Sequence, residues 1–143
     1  MNNSSKKEFL NRKANFDYKL EDTFEAGIVL LGSEIKAIRN GRININTSYA
    51  KIIGGELFWI GGNFDVEGDK QRTKKLLVKK SEVNKLIGKT SEQNYSIIPI
   101  KLYLKRGRAK LLLGLGKGMK KYEKRDRIKD REQEREIKKK TDY

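Results

Sequence analysis

The stretch that decides the fold is ANFDYKLEDTFEAGIVLLG, residues 14–32, where apolar and polar side chains alternate. The odd positions are mostly polar, and these even positions are apolar: Phe16, Tyr18, Leu20, Phe24, Ala26, Ile28 and Leu30. A repeat of two residues is the pattern of a β-strand that buries one face. Because the run is long for one strand, we predict a bend or bulge near Asp22.

A pair of glycines predicts a hairpin further along the chain. In SYAKIIGGELFWIGG, residues 48–62, Gly54 and Gly55 can both adopt the positive φ that a type I′ turn requires. Strands are therefore expected at about 48–53 and 56–61.

A second hairpin is predicted in SIIPIKLYLKRGRAKLLLGLG, residues 96–116, with its turn at Arg106 and Gly107. Apolar residues alternate along its two arms: Ile98, Ile100, Leu102 and Leu104, then Ala109, Leu111, Leu113 and Leu115. Pro99 has no N–H to donate to a strand ladder, so it predicts an edge or a bulge.

Two segments are predicted to be helical. SEIKAIRNG, residues 33–41, has Ser33 as a candidate N-cap and Gly41 as a stop. In TKKLLVKKSEVNKLIG, residues 73–88, Gly88 suits the position after the last turn. The apolar residues of this second segment recur at helical spacing: Leu76, Val83 and Ile87, with Leu86 beside them.

Five or six strands in hairpins, with helices that do not alternate with them, are typical of a small antiparallel barrel. We therefore predict a mainly β fold. Residues 1–117 form an OB-like barrel of about six strands with two or three short helices, and residues 118–143 form a basic C-terminal tail. Such barrels commonly bind nucleic acids, although a fold alone does not establish a function.

The charge of the chain predicts a polyanionic partner. With 34 basic and 19 acidic residues, the net charge is +15, and the pI is near 9.9. Residues 1–117 carry +11 of this charge and residues 118–143 carry +4. The partner is therefore expected to contact the barrel as well as the tail.

The absent residue types exclude several kinds of site. Without Cys or His, the chain has no disulfide framework, no thiolate metal site and no Ser-His or Cys-His pair. These absences disfavour zinc binding and enzyme activity. We expect no metal and no cofactor. The N-terminus lacks a signal-peptide pattern, and no apolar run approaches about 18 residues, so we expect a cytoplasmic protein with no membrane partner.

The tail begins with KGMKKYEKR, residues 117–125, which holds five basic residues. Lysines four positions apart, such as Lys117 and Lys121, repel each other on a helix. We therefore predict that the start of the tail stays frayed until an anion such as RNA phosphate neutralises it. The ring of Tyr122 could stack on a base. The alternative is a solvated tail that only aids solubility.

Four blocks of sequence follow one another in this order: NRKANFDYKLEDTFEAGIVLLGSEIKAIRNGRININTSYAKI (11–52), RTKKLLVKKSEVNKLIG (72–88), IKLYLKRGRAKLLLGLGKG (100–118) and GMKKYEKRDRIKDRE (118–132). Together they resemble the SsrA-binding protein family, also called small protein B. The resemblance implies an OB-like barrel that binds the tRNA-like domain of transfer-messenger RNA and delivers it to stalled ribosomes. It implies that the tail becomes helical in the empty mRNA path, near the decoding centre of the small subunit. It also implies no catalytic step, with elongation factor Tu and alanyl-tRNA synthetase as partners through the RNA.

The resemblance also implies which residues form the sites. Asn11 and Glu25 match positions tied to RNA binding, and Arg72 and Lys75 match a basic block near that surface. In the tail, the motif used on the ribosome is matched by Gly118, Lys120, Lys121, Tyr122, Lys124 and Arg125.

The chain departs from the family pattern at three places. FDVEGDKQ, residues 64–71, lacks the His and Pro of the NHDP-like stretch that often precedes the basic block. Met119 stands where the family often has lysine, and Glu123 stands where it often has aspartate. These departures affect the fine contacts of the site.

Two other functions stay open on the residues alone. A ribosomal or general RNA-binding protein would have the same charge and the same barrel. A metal-dependent nuclease would need a magnesium site built from carboxylates only, since His and Cys are absent.

Overall fold

The structure, a computed structural model, describes residues 8–12, 14, 18–92 and 95–118. Its strands are β1 (Glu8–Leu10), β2 (Tyr18–Ile28), β3 (Ile43–Asn44), β4 (Tyr49–Ile53), β5 (Glu56–Ile60), β6 (Asn63–Phe64), β7 (Lys74–Leu77), β8 (Tyr95–Lys105) and β9 (Arg108–Gly118). Its helices are α1 (Gly32–Arg39) and α2 (Lys80–Thr90). The predictions for the tail beyond Gly118 lie outside the described residues.

The strand pairings close on themselves. Among the described residues, the order is β1-β8-β4-β5-β7-β2-β9, and a further pairing of β8 with β9 joins six of these strands into a ring. β1 adds to the outside of the ring at β8, while β3 and β6 form a separate two-stranded sheet. All pairs are antiparallel, so the predicted mainly β fold with a small barrel and short helices is confirmed.

β2 is the strand that the opening stretch predicted, and it pairs with two neighbours. It follows β9 over most of its length and meets β7 at its C-terminal end. The register shifts between Leu20 and Asp22, which confirms the predicted bulge. A bulge bends a strand and increases its twist, so this long strand can follow the curved wall of the barrel.

Both predicted hairpins are confirmed, and each turn uses positive φ. Gly54 and Gly55, between β4 and β5, have φ of 60° and 79°. Arg106 and Gly107, between β8 and β9, have φ of 53° and 77°. Two successive residues in this region make a turn whose twist matches that of the flanking strands.

The apolar residues of β8 do not share one face, so that part of the prediction is wrong. Ile97, Leu102 and Leu104 belong to the main core cluster, whereas Ile98, which is 3% exposed, and Ile100 pack apart from it, near Gly116 and Gly114 of β9. The reason is a register shift between Pro99 and Lys101. One extra residue reverses which side chains face inward, and Pro99 marks this bulge as predicted.

The segment 73–88 is a strand followed by a helix, so the prediction of one helix is wrong. Leu76 lies in β7, which pairs with β2 and β5 and gains ladder hydrogen bonds that a helix there would lose. Val83 and Leu86 are the buried residues of α2. Gly88 lies inside α2, and the helix continues past it to Thr90.

α1 is confirmed, but its N-terminus differs from the prediction. The helix begins at Gly32, and Leu31 rather than Ser33 is the N-cap residue. The Glu34 carboxylate accepts a hydrogen bond of 2.8 Å from the Leu31 N–H, so an acid in the first turn replaces the expected serine cap. Gly41 follows the helix with a φ of 71°, in agreement with its predicted role as a stop.

Candidate RNA-binding surface

The outward side of β8, β9, β2 and β7 carries five basic side chains. Side chains alternate between core and solvent along these strands, and Leu111 and Leu113 of β9 are fully buried. The side chains next to them in sequence, such as Lys110, therefore point outward. We call this surface the cationic face, and its basic residues are Lys75, Lys101, Lys105, Arg108 and Lys110.

Gly27, which has no side chain, lies within the cationic face. The register pairs it with Leu77 of β7 on one side and with Lys110 of β9 on the other. Leu77 is 54% exposed. Reasoning from sequence missed Leu77 and Lys110, although the alternation along β9 was a signal for Lys110.

Glu25 is an acid within the cationic face, and the structure gives it two partners. The Tyr103 hydroxyl donates a hydrogen bond to its Oε2, and the Lys105 Nζ lies 3.9 Å from its Oε1. Burial and the bond to Glu25 raise the pKa of Tyr103 to about 12. The phenol therefore stays protonated, and remains a donor, throughout the pH range in which RNA is studied.

Asn11 is nearly buried, and its amide is used inside the protein. Its backbone N–H donates to the Ile100 carbonyl over 2.8 Å, and its Nδ2 donates to the Pro99 carbonyl over 2.9 Å. Both acceptors belong to the bulge of β8. Asn11 also lines a recess of about 280 Å³ with Tyr18 and Tyr49 among its walls, so it shapes the surface there.

Arg72 is also engaged within the protein. Its Nη2 lies 2.6 Å from Oε1 of Glu34, and its Nε lies 3.0 Å from Oε2 of the same carboxylate. The Nη2 also donates to the Val29 carbonyl over 3.2 Å. The hydrogen bond to Glu34 raises the pKa of Arg72. Lys75 differs, because it is exposed and forms a 3.0 Å ion pair with exposed Glu56.

Behind Arg72 lies a buried ionic cluster that the sequence did not predict. Glu34 and Lys74 are each 1% exposed, and their charged atoms are 3.5 Å apart. Burial would raise the pKa of Glu34, but the hydrogen bonds from Arg72 and Leu31 and the nearby positive charges outweigh it, and the net pKa is lowered. Burial also lowers the pKa of Lys74, against the opposing effect of Glu34.

The Lys74 ammonium is held by further contacts. It donates to the Arg72 carbonyl over 2.7 Å, and it lies 4.1 Å from the ring centre of Phe64 and 5.5 Å from that of Trp59. Such cation–π contacts strengthen where water is excluded. The cluster therefore joins α1, β7 and the aromatic part of the core.

The predicted site residues fall into two groups. Glu25 and Asn11 both contact β8, Glu25 through Tyr103 and Asn11 through the bulge. Arg72 lies two residues before β7, and Lys75 lies within β7. Gly118 is the last residue of β9, paired with Tyr18. The other predicted tail residues, Lys120, Lys121, Tyr122, Lys124 and Arg125, are outside the described part of the chain.

Two negative findings apply to residues 8–12, 14, 18–92 and 95–118. No three acidic side chains there are grouped so that they could hold a metal ion. Neither α1 nor α2 is long and apolar enough to cross a membrane.

Comparison with known proteins identifies the family. The family model described as SmpB protein matches residues 8–143. The chain is 52% identical to the SsrA-binding protein of Geobacillus sp. (strain WCH70) and 53% identical to that of Bacillus subtilis (strain 168). Each match covers 135 residues, which are 89% of this chain and 86% of the relative.

A solved structure is also similar. It is described as "tmRNA-SmpB: a journey to the center of the bacterial ribosome", and one of its chains matches with a TM-score of 0.64 and 36% sequence identity. The match covers 80% of this chain and 85% of the other. On the family match over residues 8–143 and the two relatives, this chain belongs to the SmpB protein family, the SsrA-binding proteins.

Proposed function

We propose that this chain is an RNA-binding adaptor in trans-translation. It binds the tRNA-like domain of transfer-messenger RNA and delivers it to ribosomes stalled on messages without a stop codon. The observation that carries the proposal is a cationic barrel face in a chain more than 50% identical to SsrA-binding proteins. A folded RNA presents closely spaced phosphates, which such a face attracts.

The barrel is the part that captures the RNA. Lysine and arginine side chains of the cationic face contact phosphates and set the orientation of the RNA. Glu25 lies among them and contacts the RNA directly. Asn11 and Arg72 support the surface from beneath, since Asn11 holds the bulge of β8 and Arg72 holds the Val29 carbonyl of the chain between β2 and α1. Lys75 is exposed and meets the RNA itself.

The tail is the part that acts on the ribosome. Beyond Gly118 it presents Lys120, Lys121 and Tyr122, followed by Lys124 and Arg125. In the empty mRNA path of the small subunit, ribosomal RNA phosphates neutralise the repulsion between these lysines, and the tail becomes helical near the decoding centre. The ring of Tyr122 stacks on a base there.

The proposal includes partners that reach the protein through the RNA. Alanyl-tRNA synthetase charges the tRNA-like domain, and elongation factor Tu carries it to the ribosome. The protein itself has no catalytic step and needs no cofactor. Because ribosomes work in the cytoplasm, the protein acts there.

The test compares the full chain with a variant that ends at Gly118, the last residue of β9. Both forms should bind the tRNA-like domain with similar affinity, and only the full chain should support peptide tagging in a reconstituted stalled-ribosome assay. Circular dichroism checks that the shortened barrel is folded. If the shortened chain loses most of its RNA affinity, the division between barrel and tail is wrong.

Salt dependence tests the electrostatic part of the proposal. With about six phosphates contacted, log K should fall against log salt with a slope between about −4 and −6. Excess bulk tRNA should not displace the tRNA-like domain. Displacement by bulk tRNA would favour the alternative, a ribosomal or general RNA-binding protein, and a flat salt dependence would contradict contact between the phosphates and the cationic face.

A further inference from the structure

We propose that Tyr103 is a positioning residue for Glu25: its hydroxyl holds the carboxylate so that the carboxylate accepts a hydrogen bond from an N–H or O–H group of the bound RNA. This inference rests on the proposed function and deepens it. It assigns a role to a tyrosine that neither its sequence position nor its charge singled out.

The first step is that Glu25 is electrostatically unfavourable where it lies. It points outward from β2, and β9, which carries Lys110, runs between it and Lys105 of β8. By Coulomb's law, an acid at such a position lowers the affinity for a polyanion. An acid that nonetheless serves RNA binding must act by a directional contact, because its charge alone opposes binding.

The second step is that the barrel does not depend on the ion pair of Glu25. The Lys105 Nζ is 3.9 Å away, and the Lys105 side chain is 60% exposed. Exposed pairs with this geometry contribute between about 0 and 1 kcal/mol. The ion pair with Lys105 therefore does not explain why an acid lies at this position.

The third step is the geometry of the hydrogen bond from Tyr103. Glu25 lies on β2 and Tyr103 on β8, and β9 runs between these two strands. The phenol therefore reaches across the outer surface of β9 to meet the carboxylate. The Lys101 Nζ, which is also 3.5 Å from Oε1 of Glu8, lies over the Tyr103 ring, 5.4 Å from its centre.

The fourth step is what this bond leaves available. A glutamate side chain has several rotatable bonds, and a glutamate exposed on a surface samples many rotamers. The bond from Tyr103 fixes one carboxylate oxygen, while the side chain stays 34% exposed. A carboxylate has about four lone-pair sites, so it can still accept from a 2′-hydroxyl or from an amino group of a base.

The chain offers a matched control for this pair. Tyr95 of β8 donates to Glu21 of β2 over 3.0 Å, so the same residue types on the same two strands make the same kind of bond. This second bond lies at the other end of the ladders, away from Lys105 and Lys110. Tyr95→Phe therefore removes a phenol hydroxyl without touching Glu25.

The experiment measures Kd for the tRNA-like domain with the full chain and the variants Tyr103→Phe, Glu25→Ala, their combination, and Tyr95→Phe. Glu25→Ala should weaken binding by roughly 10- to 100-fold, the range for a hydrogen bond to a charged group. Tyr103→Phe should weaken it by roughly 3- to 10-fold, with an unchanged salt slope because no phosphate contact is lost. The combination should match Glu25→Ala alone, and Tyr95→Phe should have little effect.

Several results would overturn the inference. Tighter binding by Glu25→Ala would mean that the acid acts only through its charge. An equal loss from Tyr103→Phe with and without Glu25 would mean that the phenol contacts RNA itself. A loss from Tyr95→Phe as large as that from Tyr103→Phe, with a matching fall in melting temperature, would indicate a structural role. If the wild-type chain does not prefer the tRNA-like domain to bulk tRNA, the proposed function falls and the inference falls with it.

Modified RNA distinguishes whether the group that donates to Glu25 is a 2′-hydroxyl or an amino group of a base. One pool of transcripts carries scattered 2′-deoxy sugars, and a second carries base analogues that lack an exocyclic amino group. Wild-type protein should select against substitution at one position in one of the pools, and Glu25→Ala should not. If the two proteins select the same positions in both pools, the carboxylate accepts no such bond.

Discussion

Replacing Glu34 with glutamine should destabilise the barrel far more than removing an exposed acid. The substitution keeps the shape of the side chain and an oxygen that can accept from the Leu31 N–H. It removes the charge that compensates Lys74, whose side chain is 1% exposed and whose Nζ is 3.5 Å from Glu34. After the change, the ammonium group has no anion beside it, and its favourable contacts are the Arg72 carbonyl and two aromatic rings.

The structure also limits the size of the effect. Removing one partner of a buried ion pair typically costs about 3–5 kcal/mol. Burial already lowers the pKa of Lys74, so the amine can lose its proton instead of remaining charged without a partner. The free energy of unfolding should therefore fall by about 3 kcal/mol, at the lower end of this range. For a domain of this size, that lowers the melting temperature by roughly 10 °C.

Urea denaturation followed by tryptophan fluorescence would measure this change. Trp59 is the only tryptophan of the chain and is buried, and the Lys74 ammonium lies 5.5 Å from its ring centre. Glu56→Gln is the matched control, since it breaks an exposed ion pair of 3.0 Å with Lys75. Its effect should stay within about 1 kcal/mol.

A second substitution tests the reason for the loss. In the Glu34→Gln background, Lys74→Met removes the unpaired charge, and Arg72, whose side chain is 31% exposed, can turn toward water. The double variant should be less destabilised than the sum of the two single variants. The reasoning would be refuted if Glu34→Gln cost no more than Glu56→Gln, or if the two changes in the cluster simply added.

Three further predictions concern pH, packing and the tail. Because the pKa of Glu34 is lowered from its usual 4.5, its stabilisation is fully present above pH 4.5 and is lost as pH falls through the lower folded value. Urea midpoints should therefore decline on acidification more in wild type than in Glu34→Gln, and equal declines would contradict this. Gly62→Ala would place a Cβ 2.6 Å from the Cζ2 of Trp59 and should cost about 1–3 kcal/mol by urea melts. Gly88→Ala, inside α2 with no neighbour within 4 Å, should be neutral or stabilising; equal losses from the two would exclude the clash. Tyr122→Ala should reduce peptide tagging on stalled ribosomes much more than binding to the tRNA-like domain, and an equal loss in both assays would place the ring on the captured RNA instead.

The parts of the fold that were predicted correctly depend on near neighbours in sequence. The alternation around Phe24 and Ala26 indicated β2 because side chains on a strand alternate between two faces. The turns at Gly54-Gly55 and Arg106-Gly107 were found because positive φ favours a few residue types. The parts predicted wrongly depend on pairing partners, since β7 is a strand only because β2 and β5 lie on either side of it.

Some features of the candidate site were also indicated by the sequence, and others were visible only in the structure. The net charge and the family resemblance indicated an RNA partner and singled out Glu25, Arg72 and Lys75. They did not indicate that the Arg72 guanidinium is bound to buried Glu34, or that Leu77 and Lys110 flank Gly27 on the cationic face. In the sequence RTKKLL, nothing distinguishes Lys74 from Lys75. The alternation of side chains within β7 places Lys74 in the core and Lys75 toward solvent.

The sequence by itself determined the mainly β class, the two hairpin turns, the bulge in β2 and the excess of positive charge, because each depends on residue types within a few positions of one another. Only the tertiary structure decided which lysine is buried, which arginine is held by an acid and which tyrosine holds Glu25. These contacts join residues 38 and 78 positions apart. A pattern of residue types along the chain does not specify which distant residues a closed barrel brings into contact.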